Sequence, residues 1–91
     1  MITHDELKEA VNRWAKKIGV KPLEIHVRRM SRKWASCSSR GRITINSEII
    51  KHPKKFIDKV IVHELLHLKY PNHGKMFKAF MRSYLGMKSK N

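Results

Sequence analysis

The stretch that decides the fold is HELLHLKYPNH, which runs from His63 to His73. An apolar helical pattern leads into it, and Pro71 must end that helix. His63 and His67 are four residues apart, so a helix places them one above the other on the same face. Two imidazoles in this arrangement can bind one zinc ion, and Glu64 can reach a water on that ion. The stretch therefore predicts a metal-binding helix of the His-Glu-x-x-His type.

A catalytic zinc ion needs a third protein ligand and leaves its fourth position to water. Downstream of Glu64 the chain contains no Asp, Glu or Cys, so His73 is the remaining strong side-chain ligand. Pro71 and Asn72 supply a turn that can bring His73 back toward the metal. We predict one zinc ion per chain, with three ligands: His63, His67 and His73.

The ligand set predicts the chemistry of the site. Three neutral imidazoles leave the metal its full charge, which lowers the pKa of a bound water toward ~7. Glu64 is the predicted general base that takes a proton from this water and returns it to a leaving amine. A second oxyanion donor is usual, and the candidates are His26, Arg29, Tyr70 and Tyr84. The histidines outside the motif, His4, His26 and His52, are expected in caps or on the surface.

The remaining patterns predict an α+β fold with three helices and a small sheet. Residues 3–6 form a capping box that begins the first helix, and Gly19 ends it. Alternation predicts a strand after Pro22 with Leu23, Ile25 and Val27 on its apolar face, and another at residues 42–46 with Thr44 and Asn46 on its polar face. A short strand is expected around residues 33–36. Pro53 suits the first position of the metal helix, which should end near Tyr70. The closing helix covers residues 74–85, and its predicted inward residues are Met76, Phe77, Phe80, Met81 and Tyr84.

Length and charge bound the class of protein. Ninety-one residues predict one domain over residues 1–91. The net charge of +14 attracts polyanions, anionic membranes or acidic polypeptides, although it also fits a solvated lysine-rich surface. One cysteine excludes an internal disulfide framework. With no signal-peptide pattern and no apolar run long enough for a membrane span, we expect a soluble, cytoplasmic protein.

Two blocks of sequence resemble a known family. RRMSRKWASCSSRGRITIN begins at Arg28, and IIKHP…FIDKVIVHELLHLKYPNHGKMF begins at Ile49. Together they resemble the YgjP-like metallopeptidase domain, which reads Trp-Gly-Ser-Cys where this chain reads Trp-Ala-Ser-Cys at residues 34–37. The short chain also resembles the minigluzincins and, more distantly, the SprT-like and WLM proteases.

The resemblance implies a minimal zincin core, with an N-terminal helix, a three-stranded sheet, an active-site helix and a closing helix. It carries over the same three histidines as zinc ligands and Glu64 as the catalytic acid and base. An edge strand, for which residues 33–36 are the candidate, would pair with extended substrate. The expected function is therefore zinc metalloendopeptidase activity on polypeptides, through a zinc-bound water that Glu64 activates.

Two alternatives remain open. One is a zinc-dependent hydrolase of nucleotides, because the YgjP-like family has been linked to nucleotide pyrophosphate cleavage. The other is a basic, nucleic-acid-associated protein with a zinc site.

Two features bear on regulation. Cys37 is expected to be a small buried residue, and the alternative is a fourth zinc ligand that silences the enzyme. Residues 87–91 follow Gly86, and their terminal carboxylate is the only one downstream of Glu64. Our hypothesis is that this tail reaches the zinc of its own chain, or that of a neighbouring molecule, and keeps the chain latent, as in a zymogen. A frayed end is the alternative.

Overall fold

The computed structural model describes residues 2–85. Its elements are α1 (His4–Ile18), β1 (Glu24–Arg28), β2 (Ala35–Cys37), β3 (Arg42–Asn46), a 3₁₀ helix (Ser47–Lys51), α2 (Lys54–Leu66) and α3 (Lys75–Leu85). These three α-helices and the three-stranded sheet confirm the predicted α+β fold class.

The first helix begins and ends where the sequence predicts. The side chain of Thr3 accepts a hydrogen bond from the Glu6 amide at 3.0 Å, and Glu6 accepts one from the Thr3 amide at 2.8 Å. This capping box satisfies two amides that the first turn leaves unpaired. Gly19 adopts a left-handed conformation with φ 89° and ends the helix.

The sheet has the order β1-β3-β2, with β3 parallel to β1 and antiparallel to β2. The central position of β3 explains why Thr44 and Asn46 are buried although alternation predicts them on the polar face. Thr44 is small and lies between His26 and Ser36 in the register. Because β3 is in the centre, β1 and β2 are the two edge strands of this sheet.

The core lies where α1, α2 and the sheet meet, and α2 packs against α1, β2 and α3. Its completely buried aliphatic side chains come from all of these layers. The largest are Leu7, Val11, Ile43, Ile45, Ile49, Ile61, Val62, Leu65 and Leu66. In the part of the chain from residue 2 to residue 85, no helix is long and apolar enough to cross a membrane.

Several predicted boundaries are wrong by a few residues. β2 covers residues 35–37 rather than 33–36, because the side chain of Asn46 bonds the Lys33 carbonyl in the preceding loop. Pro53 is the N-cap of α2 rather than its first helical residue. Leu23 precedes β1 and is 76% exposed, and Met76 on α3 is 56% exposed, so neither faces the core as predicted.

The C-terminal end of α2 also differs from the prediction. The helix ends at Leu66, four residues before Tyr70. Beyond it the amides of His67, Leu68 and Lys69 bond carbonyls three residues earlier, at 3.0–3.1 Å. The chain therefore stays coiled in a tighter turn before it reaches Pro71.

Candidate metal centre

Three histidines converge at the C-terminal end of α2. His63, His67 and His73 each offer one ring nitrogen, and these nitrogens lie within 4.8 Å of one another. The Nε2 atoms of His67 and His73 are 3.0 Å apart. The structure thus brings the three predicted ligands together, and their assignment as zinc ligands stays a prediction.

Local backbone geometry explains the convergence. His63 lies in the last turn of α2, and His67 is the C-cap residue with φ −65° and ψ −22°. Because these angles are helical, the two side chains keep their i, i+4 relationship although the regular helix ends at Leu66. The Tyr70 amide bonds the Leu66 carbonyl at 2.7 Å and closes the turn. His73 then lies two residues before α3.

The ring of Phe77 packs against all three histidines. Its centroid lies 5.2 Å from that of His63, 5.0 Å from that of His67 and 4.7 Å from that of His73. Phe77 is only 3% exposed. The sequence pattern predicted that Phe77 faces inward, but it did not predict that the Phe77 ring contacts all three histidines. No local pattern predicts this contact, because His73 precedes α3 and the contact depends on the packing of α3 against α2.

Glu64 lies beside the cluster and close to β2. Its side chain is 15% exposed, and its Oε2 atom is 3.1 Å from Nδ1 of His63. Burial raises the pKa of the Cys37 thiol, and the nearby Glu64 carboxylate raises that pKa further. The carboxylate therefore lies near both the histidines and the edge strand.

Cys37 has the surroundings of a small, partly buried residue. Its Sγ atom donates to the Ser38 carbonyl at 3.5 Å. Among residues 2–85, no thiol or carboxylate joins the three histidines within the 4.8 Å spacing. These contacts favour the interpretation of Cys37 as a packing residue over that of a fourth ligand.

Three of the four candidate oxyanion donors have partners of their own. Tyr70 and Tyr84 stack on Phe80, with ring centroids 5.4 and 5.7 Å away. Nε2 of His26 lies 2.7 Å from Oε1 of Glu24 on the exposed face of β1. Arg29 lines a separate groove. The choice among these four residues stays open.

The donor atoms of the cluster suit zinc. Imidazole nitrogens bind zinc at about 2.0–2.1 Å, and a tetrahedral site then separates neighbouring ligand nitrogens by about 3.3 Å. The 3.0 Å separation of the His67 and His73 Nε2 atoms is close to this value, and all three ring nitrogens lie within 4.8 Å of one another. A cleft of about 340 Å³ opens beside His63, His73 and Phe77. The three residues therefore fit a zinc ion with one side open.

Comparison with known proteins identifies relatives. The family model of the YgjP-like metallopeptidase domain matches residues 2–90. The structure of the metallopeptidase zymogen jannalysin from Methanocaldococcus jannaschii is 26% identical, with TM-score 0.78, over 86% of this chain and 80% of that chain. The zymogen abylysin from Pyrococcus abyssi is 19% identical, with TM-score 0.72, over 84% and 76%. No curated protein matches the chain. These matches confirm the predicted resemblance to the YgjP-like metallopeptidase domain and to the minigluzincins.

Proposed function

The chain belongs to the YgjP-like metallopeptidase domain family, and on this premise we propose that it is a zinc-dependent endopeptidase. The family and the fold support a zinc-dependent peptidase activity in general. The observation that carries the specific proposal is the convergence of the ring nitrogens of His63, His67 and His73 within 4.8 Å, beside Glu64. We assign these three residues as the zinc ligands and Glu64 as the catalytic acid and base.

Zinc, when bound, would polarise the scissile carbonyl and lower the pKa of a water molecule toward ~7. The two oxygens of Glu64 would then have different roles. Oε2 lies 3.1 Å from Nδ1 of His63, so a proton on Nδ1 would donate to Oε2 and leave Nε2 of that ring as the ligand atom. Oε1 would accept the proton of the attacking water and later return it to the leaving amine.

The edge strand β2 would hold the substrate. One edge of β2 pairs with β3, and the sheet order leaves the other edge free within the described residues. Because Cys37 at the end of β2 is close enough to Glu64 for its pKa to rise, this strand borders the proposed catalytic carboxylate. An extended polypeptide that pairs with it would be held by main-chain hydrogen bonds, so sequence selectivity would be modest.

We also propose that the full chain is latent. The related jannalysin structure is that of a zymogen. In this chain the predicted inhibitory segment is residues 87–91, and these lie outside the described residues. Their terminal carboxylate would compete with water for the open position at the metal.

The test is to incubate zinc-loaded protein with an unfolded protein and, separately, with a nucleoside triphosphate, followed by mass spectrometry of the products. Internal peptide fragments together with an intact nucleotide are expected from the chain that ends at Gly86, and slower cleavage of the polypeptide is expected from the full chain. Nucleotide hydrolysis with an intact polypeptide would contradict the proposal and favour the nucleotide hydrolase. A chain that ends at Gly86 is assayed in parallel, so that latency is distinguished from a lack of activity. A chelated sample serves as the metal-free control.

A further inference from the structure

A groove with a positive lining lies on the loop between β1 and β2. It encloses about 780 Å³ and is lined mainly by residues 29–34, with Asn46 and Glu48 at one side. Arg29, Arg32 and Lys33 are all exposed. Between residues 2 and 85, no carboxylate lies within 4.0 Å of these three cations, and Glu48 pairs with Lys51 instead. Lys51 lowers the pKa of the Glu48 carboxyl most, and Arg29 lies near enough to lower that pKa further. Three cations against one carboxylate nevertheless leave the lining of the groove positive.

An aromatic side chain forms part of the groove wall. Trp34 is 37% exposed and lines the groove. Its ring contacts His52 and Phe56 edge-on, with centroids 4.7 and 5.5 Å away. His52 and Phe56 also contact each other at 5.0 Å. Two neighbouring rings thus hold Trp34 in position while more than a third of its surface stays accessible.

The buried side chain of Asn46 holds the groove in shape. Its Nδ2 atom donates to the carbonyls of Met30 at 2.9 Å and Lys33 at 2.8 Å. Its Oδ1 atom accepts from the backbone amide of Glu48 at 3.0 Å. The backbone amide of Asn46 donates to the Trp34 carbonyl at 2.8 Å. Because these bonds already hold the loop in one conformation, the binding of a ligand would cost less conformational entropy.

We propose that this groove, the Trp34 groove, binds single-stranded nucleic acid. Surfaces that bind single strands combine cations, which follow the phosphates, with aromatic rings on which unpaired bases stack. Arg29, Arg32 and Lys33 supply the cations and Trp34 supplies the ring. The net charge of +14 would attract the polyanion from a distance. Duplex bases are stacked on each other and would not reach Trp34, so single strands are favoured.

The proposal does not depend on the proposed peptidase activity, because the groove shares no residue with the histidine cluster. The two sites are nevertheless connected by β2. Trp34 immediately precedes Ala35, the first residue of this strand. A bound nucleic acid would therefore lie at the beginning of the edge strand that is proposed to hold polypeptide substrate.

A second basic groove provides a matched control. Arg13, Lys16, Lys17 and Lys54 line a groove of about 450 Å³ beside Trp14. Here the tryptophan is already engaged, because its Nε1 atom donates to Asp58 at 3.1 Å and Lys17 lies 5.0 Å over its ring. Tyr84 contacts it edge-on at 6.5 Å. This groove offers similar charge with a tryptophan whose surface is occupied.

The experiment measures fluorescence anisotropy of a labelled oligothymidylate of about 12 nucleotides at about 50 mM salt, with the full chain. Arg32→Glu/Lys33→Glu should weaken binding by at least about tenfold. Lys16→Glu/Lys17→Glu changes the net charge equally and should weaken binding much less. If three phosphates are neutralised, the log–log salt slope should be about −2. Trp34→Ala should weaken binding by about 5- to 150-fold.

Folding of each variant is checked by circular dichroism. If Trp34→Ala does not fold, Trp14→Phe leaves Trp34 as the sole tryptophan, and its fluorescence should be quenched when the oligonucleotide binds. Equal losses in the two charge-reversal variants would overturn the site, since net charge alone would then explain binding. No binding by folded wild-type protein at low salt would overturn it too. Tighter, Trp34-dependent binding of oligoglutamate would identify an acidic-peptide site instead.

Discussion

Replacement of Phe77 by leucine should weaken zinc binding, whereas a substitution elsewhere in the core should lower only the free energy of unfolding. The Phe77 ring lies 4.7–5.2 Å from all three imidazoles and is 3% exposed. Phe77→Ala would cost about 3–5 kcal/mol of the roughly 5–14 kcal/mol expected for a chain of this length. Phe77→Leu keeps much of the apolar volume at a cost of about 1–2 kcal/mol, so this variant should fold.

The expected loss of zinc affinity follows from how the ring positions the ligands. Changes to groups that orient metal ligands typically cost about 10- to 100-fold in metal affinity. With tenfold weaker binding, a zinc concentration that is 100 times the wild-type dissociation constant would add about 1.4 kcal/mol to the free energy of unfolding, instead of about 2.7 kcal/mol. Chelator competition measures the affinity directly, and thermal unfolding with and without zinc measures the stabilisation.

Leu7→Ala is the matched control, because Leu7 is completely buried in α1. It should lower the free energy of unfolding by about 2–5 kcal/mol and leave zinc affinity unchanged. If Phe77→Leu binds zinc as tightly as the wild type, Phe77 is only a core residue and the positioning argument is wrong.

Three further predictions concern His73 as the third ligand, residues 87–91 as an inhibitory tail, and Asn46 as the residue that holds the loop between β1 and β2. His73→Ala should lose zinc, and wild-type zinc content by metal analysis would rule out His73 as the third ligand. A chain that ends at Gly86 should hydrolyse peptide faster than the full chain at equal zinc content, whereas equal rates would exclude an inhibitory tail. Asn46→Ala removes the side-chain bonds to Met30, Lys33 and Glu48, and it should lower the free energy of unfolding by about 2–4 kcal/mol in urea melts. An unchanged urea midpoint would contradict the role of Asn46 in holding this loop.

The features that could be predicted from sequence are those that neighbouring residues determine. The capping box of Thr3 and Glu6 and the left-handed Gly19 define α1 through contacts within one turn. The spacing of His63 and His67 depends only on helical backbone angles, and these persist at the C-cap. His73 was predicted because the chain downstream of Glu64 offers no other strong side-chain ligand and Pro71 forces a turn.

The features that the sequence did not predict depend on distant contacts. Asn46 bonds carbonyls 16 and 13 residues earlier in the chain, and these bonds decide where the loop ends and β2 begins. The 3₁₀ helix at Ser47–Lys51 starts from the same residue, whose side chain caps it. Phe77 belongs to the metal centre only because α3 packs against α2. A pattern along one segment contains no information about such packing.

The central claim is that Glu64 performs the proton transfers of peptide hydrolysis at a site built from three histidines. The most direct test measures zinc content and the rate of peptide hydrolysis together in Glu64→Ala, in the chain that ends at Gly86. The variant should keep one zinc ion per chain and lose about 10²–10⁴-fold in rate, as expected for the loss of a general base. Hydrolysis at the parent rate with zinc bound would contradict the proposed mechanism.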